Sequence, residues 1–375
     1  MPTPRTIDIE ITSRCNLRCK YCNHFTSPGD VQNELSTQEW LLFLEELKRN
    51  LVTEVSLQGG EPFCRKDIKE LINGIVANKM RFSILTNGGL LTDDLAAFLK
   101  STNRCSRLQL SIDGFNAEMH DSCRNEGSFV KAVNAIETLK RHGLKVSVRV
   151  TIHKKNVHHL SNICSFLLEE LELPSFSINS VSYMGSCRTS ADELQLDYEE
   201  RSLAMEALFQ LNNKFKGRIK ATSGPLAEVK KWLDMEKARK EKREPFPHGG
   251  NLTACGCIWY QLGVRADGVM VPCILLGHIE LGRINKDSLQ NIWLNHPELI
   301  RLRNRKHIPL SQFEFCRGCD YIPYCTGNCP ATAYNIIGKD EHPSPSSCLR
   351  RYLAAGGKLP DENMVLQTDQ IDKGA

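Results

Sequence analysis

Cys15, Cys19 and Cys22 occupy the stretch Cys15-Asn16-Leu17-Arg18-Cys19-Lys20-Tyr21-Cys22. Their CxxxCxxC spacing offers three thiolates to one metal centre. A structural zinc ordinarily takes four ligands and closes its shell, and a [4Fe–4S] cluster is ordinarily held by four cysteines. A cluster held by three keeps one iron open to a small molecule, as catalytic metals keep an open position. The stretch therefore reads as a reactive centre. A zinc site completed by His24, two residues beyond Cys22, is the competing reading.

A second set of thiols lies toward the C-terminus. Eight cysteines fall between Cys255 and Cys348. Cys316-x2-Cys319-x5-Cys325-x3-Cys329 is followed by Cys348, and Cys255, Cys257 and Cys273 lie upstream. Eight thiols suit two four-cysteine zinc sites as well as they suit clusters, and ligand softness does not separate the two. Of the others, Cys164 sits in an apolar helical stretch and reads as a small core residue. Cys64 and Cys123 fall near the expected mouth and read as bystanders.

The elements that must position these groups follow from periodicity. Strand-like segments at Thr6–Thr12, Glu54–Gln58, Arg81–Thr86, Leu108–Ile112, Lys145–Ile152 and Ser175–Val181 alternate with helix-like ones at Thr37–Arg49, Lys66–Ala77, Thr92–Lys100, Phe129–His142 and Val157–Leu171. Thr37 is the expected N-cap of the first helix and Gly143 the expected cap of the fourth. Such alternation predicts a parallel sheet with helices outside it, and ligands at the loops that follow the strands. Those loops carry Cys15–Cys22, Gly59-Gly60-Glu61-Pro62, Thr86-Asn87-Gly88 and Ser111-Ile112-Asp113-Gly114, which should converge on one mouth. Longer helices are expected at Asp192–Phe215 and Pro225–Arg243, then a linker at Pro245–Gly250. The polar tail from Gly356 is expected to be poorly ordered.

Bulk composition excludes several classes. The 375 residues carry a net charge of only +4, which does not favour nucleic acid or an anionic membrane as partner. The N-terminus lacks the apolar core of a signal peptide. A cytoplasmic location is expected, where 16 cysteines point to metal or catalysis rather than disulfides.

CxxxCx-aromatic-C, with Tyr21 as the aromatic, resembles the signature of the radical S-adenosylmethionine (SAM) enzymes, and Gly59-Gly60-Glu61-Pro62 resembles their GGEP motif. The cysteine array after Cys255, with Asp267-Gly268 before Cys273, resembles the SPASM extension found on many of them. The resemblance implies an α/β fold: a partial (βα)6 TIM-like barrel over 1–185, a helical bridge over 186–248, an iron–sulfur-binding SPASM domain over 249–350 and a tail over 351–375. It implies that Cys15, Cys19 and Cys22 bind a [4Fe–4S] cluster whose open iron takes SAM and cleaves it to a 5′-deoxyadenosyl radical. Gly59, Gly60 and Glu61 would approach the methionyl moiety, and Ser111 and Arg124 would contact the ribose or carboxylate. Two auxiliary [4Fe–4S] clusters are implied. Cys316, Cys319, Cys325 and Cys348 would hold one; Cys273, Cys329 and one or both of Cys255 and Cys257 would hold the other.

The resemblance further implies hydrogen abstraction from a peptide or protein substrate, with electrons from a flavodoxin- or ferredoxin-type reductant. Outcomes in the group include crosslinks, thioethers, epimerised residues and residue oxidation. Sulfatase-maturing relatives place Asp directly after the cysteine equivalent to Cys273. Here Ile274 follows, which counts against that activity. Asp113 is the candidate catalytic carboxylate at the mouth. The first strand starts at Thr6 and leaves no room for a leader-gripping winged helix, so a separate leader-binding protein is an expected partner. The alternatives are action on a small molecule such as a tetrapyrrole, and a non-catalytic electron-transfer protein, which has no use for GGEP.

Overall fold

The computed structural model describes residues 2–24, 33–253 and 256–361. Among these residues ten strands form one open sheet. In chain order they are β1 (Thr6–Thr12), β2 (Glu54–Gly59), β3 (Arg81–Thr86), β4 (Cys105–Ser111), β5 (Val146–Ile152), β6 (Phe176–Ser180), β7 (Ile219–Ala221), β8 (Gln261–Val264), β9 (Val269–Val271) and β10 (Gly282–Arg283). Their spatial order is β10-β9-β8-β1-β2-β3-β4-β5-β6-β7. Every pairing from β8 through β7 is parallel, and β9 and β10 add antiparallel strands at one edge.

Each barrel strand turns one set of apolar side chains outward under the helices. Ile7 and Ile9, Val55 and Leu57, Phe82 and Ile84, Leu108 and Leu110, and Val148 and Val150 are all fully buried. Helix Thr37–Arg49 adds Trp40, Phe43, Leu44 and Leu47 to the same core. Its N-cap is Ser36, not the expected Thr37. Ser36 makes a reciprocal capping box with Glu39, while the Thr37 hydroxyl donates to Asp67 at 2.6 Å. Gly143 does adopt the left-handed conformation (φ +63°) after helix Ser128–Arg141, as expected. The expected helix Val157–Leu171 is heterogeneous: a 3-10 turn, an α segment (Leu160–Ser165) and a π turn (Phe166–Glu170).

The sheet does not stop at the expected domain boundaries. β7, which the sequence reading missed, pairs with β6 and lies between helices Tyr198–Lys214 and Pro225–Lys240. β8, from the cysteine-rich half, pairs with β1 in register Thr6↔Gln261 to Ile9↔Val264. Cys255 and the tail beyond 361 lie outside the described residues.

Two backbone hydrogen bonds fasten the loop after β1 to the loop after β2. Gly60 N–H donates to the Thr12 carbonyl and Glu61 N–H to the Arg14 carbonyl, each at 2.8 Å. A Cβ on Gly60 would collide with the Arg14 carbonyl oxygen, and one on Gly59, which also has φ +127°, with that of Thr12. Glycine is required here by the close approach of two chains. Gly60→Ala is therefore expected to cost about 1–3 kcal/mol through overpacking. A lower thermal midpoint, together with iron lost from the Cys15 centre, would register it.

Candidate radical centre and auxiliary thiol sites

The strand-end loops do converge. Asn87 Nδ2 donates to Asn16 Oδ1 at 2.8 Å and reaches the Cys15 sulfur at 3.9 Å. Arg124 Nη1 reaches the Cys19 sulfur at 4.0 Å. The Cys22 carbonyl accepts from Ser186 N–H, and the Cys123 carbonyl from Lys20 N–H. Glu34, which no motif flagged, accepts from the Thr12 hydroxyl at 2.6 Å and Ser13 N–H at 2.7 Å, and pairs with Arg14 at 3.0 Å. Burial pushes the Cys15 thiol up to about 12 and Cys19 to about 11. Neutral thiols at neutral pH become thiolates when a bound cation supplies the charge. Among the described residues, no three His, Cys, Asp or Glu side chains gather as ligands of a single ion. Three soft donors on one exposed-edge loop fit an iron–sulfur cluster.

Glu61 is fully buried and faces protein. Its carboxylate accepts from Thr86 Oγ1 at 2.7 Å, Asn87 N–H at 2.8 Å and Phe63 N–H at 3.2 Å. Burial pushes it up to about 7 against these donors. The Glu61 carboxylate thereby ties the ends of β2 and β3 and holds Asn87 beside Cys15.

Asp113 is likewise fully buried. Arg124 Nε donates to its Oδ2 at 2.6 Å, Thr151 N–H to its Oδ1 at 2.8 Å, and the Tyr21 hydroxyl also to Oδ2. Burial works to raise its pKa, but the Arg124 guanidinium and the nearby imidazoles hold it at about 2. A carboxylate so committed is a poor proton acceptor at neutral pH. Its place is as the counter-ion that aims Arg124 at Cys19 and stacks it over the Tyr21 ring, 5.5 Å from the centroid. Ser111 lies one residue from Ile112 at the end of β4, in register with Arg149 on β5.

The inner face of the strands is polar. Asp8, Glu10, Gln58, Gln109, Arg149 and Asn179 alternate with the buried apolar residues. Glu10 pairs with His24 at 3.0 Å. Burial raises Asp8 to about 6, against a hydrogen bond from Gln261 and attraction to Arg107. Arg149 donates to Ser177 at 3.3 Å and has no carboxylate partner among the described residues. Asn179 Oδ1 is buried without a donor. Parallel strands covered on both faces read as continuous apolar runs, so the alternation in Val146-Ser147-Val148-Arg149-Val150-Thr151-Ile152 was the available signal of a wet lumen.

In the C-terminal half, Cys316, Cys319, Cys325 and Cys348 line one pocket, with Leu310, Phe315, Ile322 and Leu349 around them. This is the set expected to hold one auxiliary cluster, and four soft donors in an apolar shell fit it. Cys273, after β9, and Cys329, at the N-cap of helix Pro330–Ile337, lie outside that pocket. Cys257 begins the short helix Cys257–Tyr260.

Comparison with known proteins agrees with this geometry. The Radical SAM superfamily profile matches residues 9–167, and that of the SPASM iron-sulfur cluster-binding domain matches 255–320. Mycofactocin maturase MftC of Mycolicibacterium smegmatis is 36% identical, over 89% of this chain and 80% of that protein. The chain belongs to the radical SAM superfamily. It is also similar to the AdoMet-dependent heme synthase of Methanosarcina barkeri, 28% identical over 89% of this chain and 93% of that one. The fold is that of Streptococcus suis SuiB bound to its precursor peptide SuiA (TM-score 0.69, 16% identity, 93% of this chain and 76% of that). This radical SAM enzyme has no helix among its described residues long and apolar enough to cross a membrane.

Asp113→Asn should leave Arg124 a buried uncompensated charge and cost about 3–5 kcal/mol at neutral pH. Because the folded pKa is depressed, that advantage is present above the unfolded value near 3.9 and is lost as pH falls toward about 2. Denaturant unfolding of the metal-free wild-type and variant chains should converge across that window. Glu61→Gln puts an amide N–H against Asn87 N–H. Iron at the Cys15 centre should become labile to chelator while the auxiliary iron stays.

Proposed function

We propose that this radical SAM enzyme abstracts a hydrogen atom from a peptide and modifies it covalently, using three [4Fe–4S] clusters. The cluster at Cys15, Cys19 and Cys22 would, with SAM, supply a 5′-deoxyadenosyl radical. The chain's own residues do the rest. The Gly59-Gly60 crossing and Glu34 hold the cysteine loop, Arg124 presents positive charge at Cys19, and the polar lumen receives polar substrate groups.

The observation that carries the peptide reading is the lumen left accessible by an unclosed sheet. Among the described residues its strand order ends at β7 and β10 without joining them. An extended chain can reach such a mouth from the side, as edge-docking peptides do. Similarity to peptide-modifying relatives supports it: PqqA peptide cyclase of Granulibacter bethesdensis bears its substrate class in its name. A cytoplasmic setting, a flavodoxin- or ferredoxin-type reductant and a separate leader-binding protein belong to the same proposal. The heme synthase relative favours a second reading, a tetrapyrrole substrate whose propionates would meet Arg149.

Reconstituted enzyme, reduced and given SAM, is expected to release 5′-deoxyadenosine. Release should accelerate with a short peptide encoded beside this gene, and that peptide should change mass. Acceleration by an iron porphyrin instead would transfer the assignment to the second reading. Replacing Cys15, Cys19 and Cys22 together by Ala should abolish cleavage and retain about two thirds of the iron.

A further inference from the structure

The pocket of Cys316, Cys319, Cys325 and Cys348 also holds a cation. Arg350, two residues after Cys348, lines it with them. Its Nη2 donates to the Phe315 carbonyl at 2.6 Å and its Nη1 to the Arg317 carbonyl at 2.8 Å. These are the carbonyls on either side of Cys316. One guanidinium therefore spans the first thiol of the set and ties its loop to the segment that brings the last. No carboxylate among the described residues pairs with Arg350. Other half-buried arginines of this half are neutralised: Arg265 pairs with Asp267 at 2.6 Å and Glu280 at 3.1 Å, and Arg301 with Glu298 at 2.7 Å and Asp340 at 2.6 Å. A half-buried charge bonded only to carbonyls is costly unless an anion faces it.

The four thiols supply that anion once they carry metal. Three of the sulfurs accept backbone N–H groups: Cys325 from Gly327 at 3.4 Å, Cys319 from Tyr321 and Cys348 from Arg351. Apart from the thiols themselves, the lining is apolar or neutral at every described position except Arg350. Burial pushes the Cys316 thiol up to about 12 and raises Cys319 and Cys348 as well, and the Arg350 charge opposes burial at all three. A single cation, clamped at two points, thus stands against four soft donors in an apolar shell.

We propose that Arg350 is the charge-compensating residue of the auxiliary centre held by Cys316, Cys319, Cys325 and Cys348, anchored on the Phe315 and Arg317 carbonyls so that its charge stays against the cluster. Arg350 is a positioning residue and ligates no iron. Reduction adds negative charge to a thiolate-ligated cluster. A fixed cation in an apolar shell favours the reduced form, and so raises the reduction potential. The inference rests on the reading that these four cysteines hold a cluster, and it is independent of what the substrate is.

Midpoint potentials read by EPR during dithionite titration of a Cys15/Cys19/Cys22→Ala chain, which keeps only the auxiliary centres, test it. Arg350→Gln removes the charge but keeps an N–H for the carbonyls. It should lower one midpoint by about 59 mV, tenfold in the equilibrium of a one-electron couple, and leave the other in place. Arg350→Lys keeps the charge and should lower the same midpoint less. Cys348→Ser should move or abolish that same signal, which assigns it to this centre. Iron kept by the Lys chain and lost from the Gln chain would support the same role. Unchanged midpoints at full iron content would overturn it. So would equal shifts in the Gln and Lys chains, or equal loss of iron from both, because anchoring without charge would then be the whole part Arg350 plays. Iron undiminished and both signals unmoved in the Cys348→Ser chain would overturn the ligand assignment beneath it. Neither result bears on the peptide reading.

Discussion

Two backbone hydrogen bonds, from Gly60 and Glu61 to the carbonyls of Thr12 and Arg14, fix where the radical centre can be. They continue the β1–β2 ladder past the strand ends and pull the cysteine loop against the second strand's loop. Only glycine lets the chains come that close. With the crossing made, Glu61 points inward and gathers Thr86 and Asn87, and Asn87 comes to rest beside Cys15. Two strand ends are joined by backbone hydrogen bonds, and the Glu61 carboxylate adds the third.

Charge is handled in the same economical way at the opposite side of the mouth. Asp113 is removed from water and paired with Arg124, which leaves one positive group directed at Cys19. Burying an ion pair adds little net stability, but it fixes direction. Below this pair the lumen stays polar. Asp8 accepts from Gln261 and Glu10 pairs with His24, whereas Arg149 has no carboxylate partner among the described residues.

The cysteine loop, the GGEP loop and strands β1 to β6 were legible because each carries a local signature: fixed spacing, a glycine pair, or five to seven residues of alternating polarity. The protein partners of Glu61 and Asp113 were not. A motif carboxylate at a strand end reads the same whether it faces ligand or protein, and only burial distinguishes them. Ser36 rather than Thr37 capped the first helix because two adjacent hydroxyls compete and Glu39 lies at the right offset for the earlier one. β7 to β10 are two to four residues long, too short for any period to show, and their pairing is a tertiary event.

The parallel pairing of β8 with β1 makes the two halves mutually dependent in manufacture as well as in chemistry. A chain synthesised only to the linker at Pro245–Gly250 has β1 at the border of the sheet, with one row of amide and carbonyl groups unpaired. Such a border recruits other chains. During translation the nascent barrel is sticky along the strand that leads to Cys15. It becomes safe once the last third of the polypeptide has emerged and folded back over its beginning.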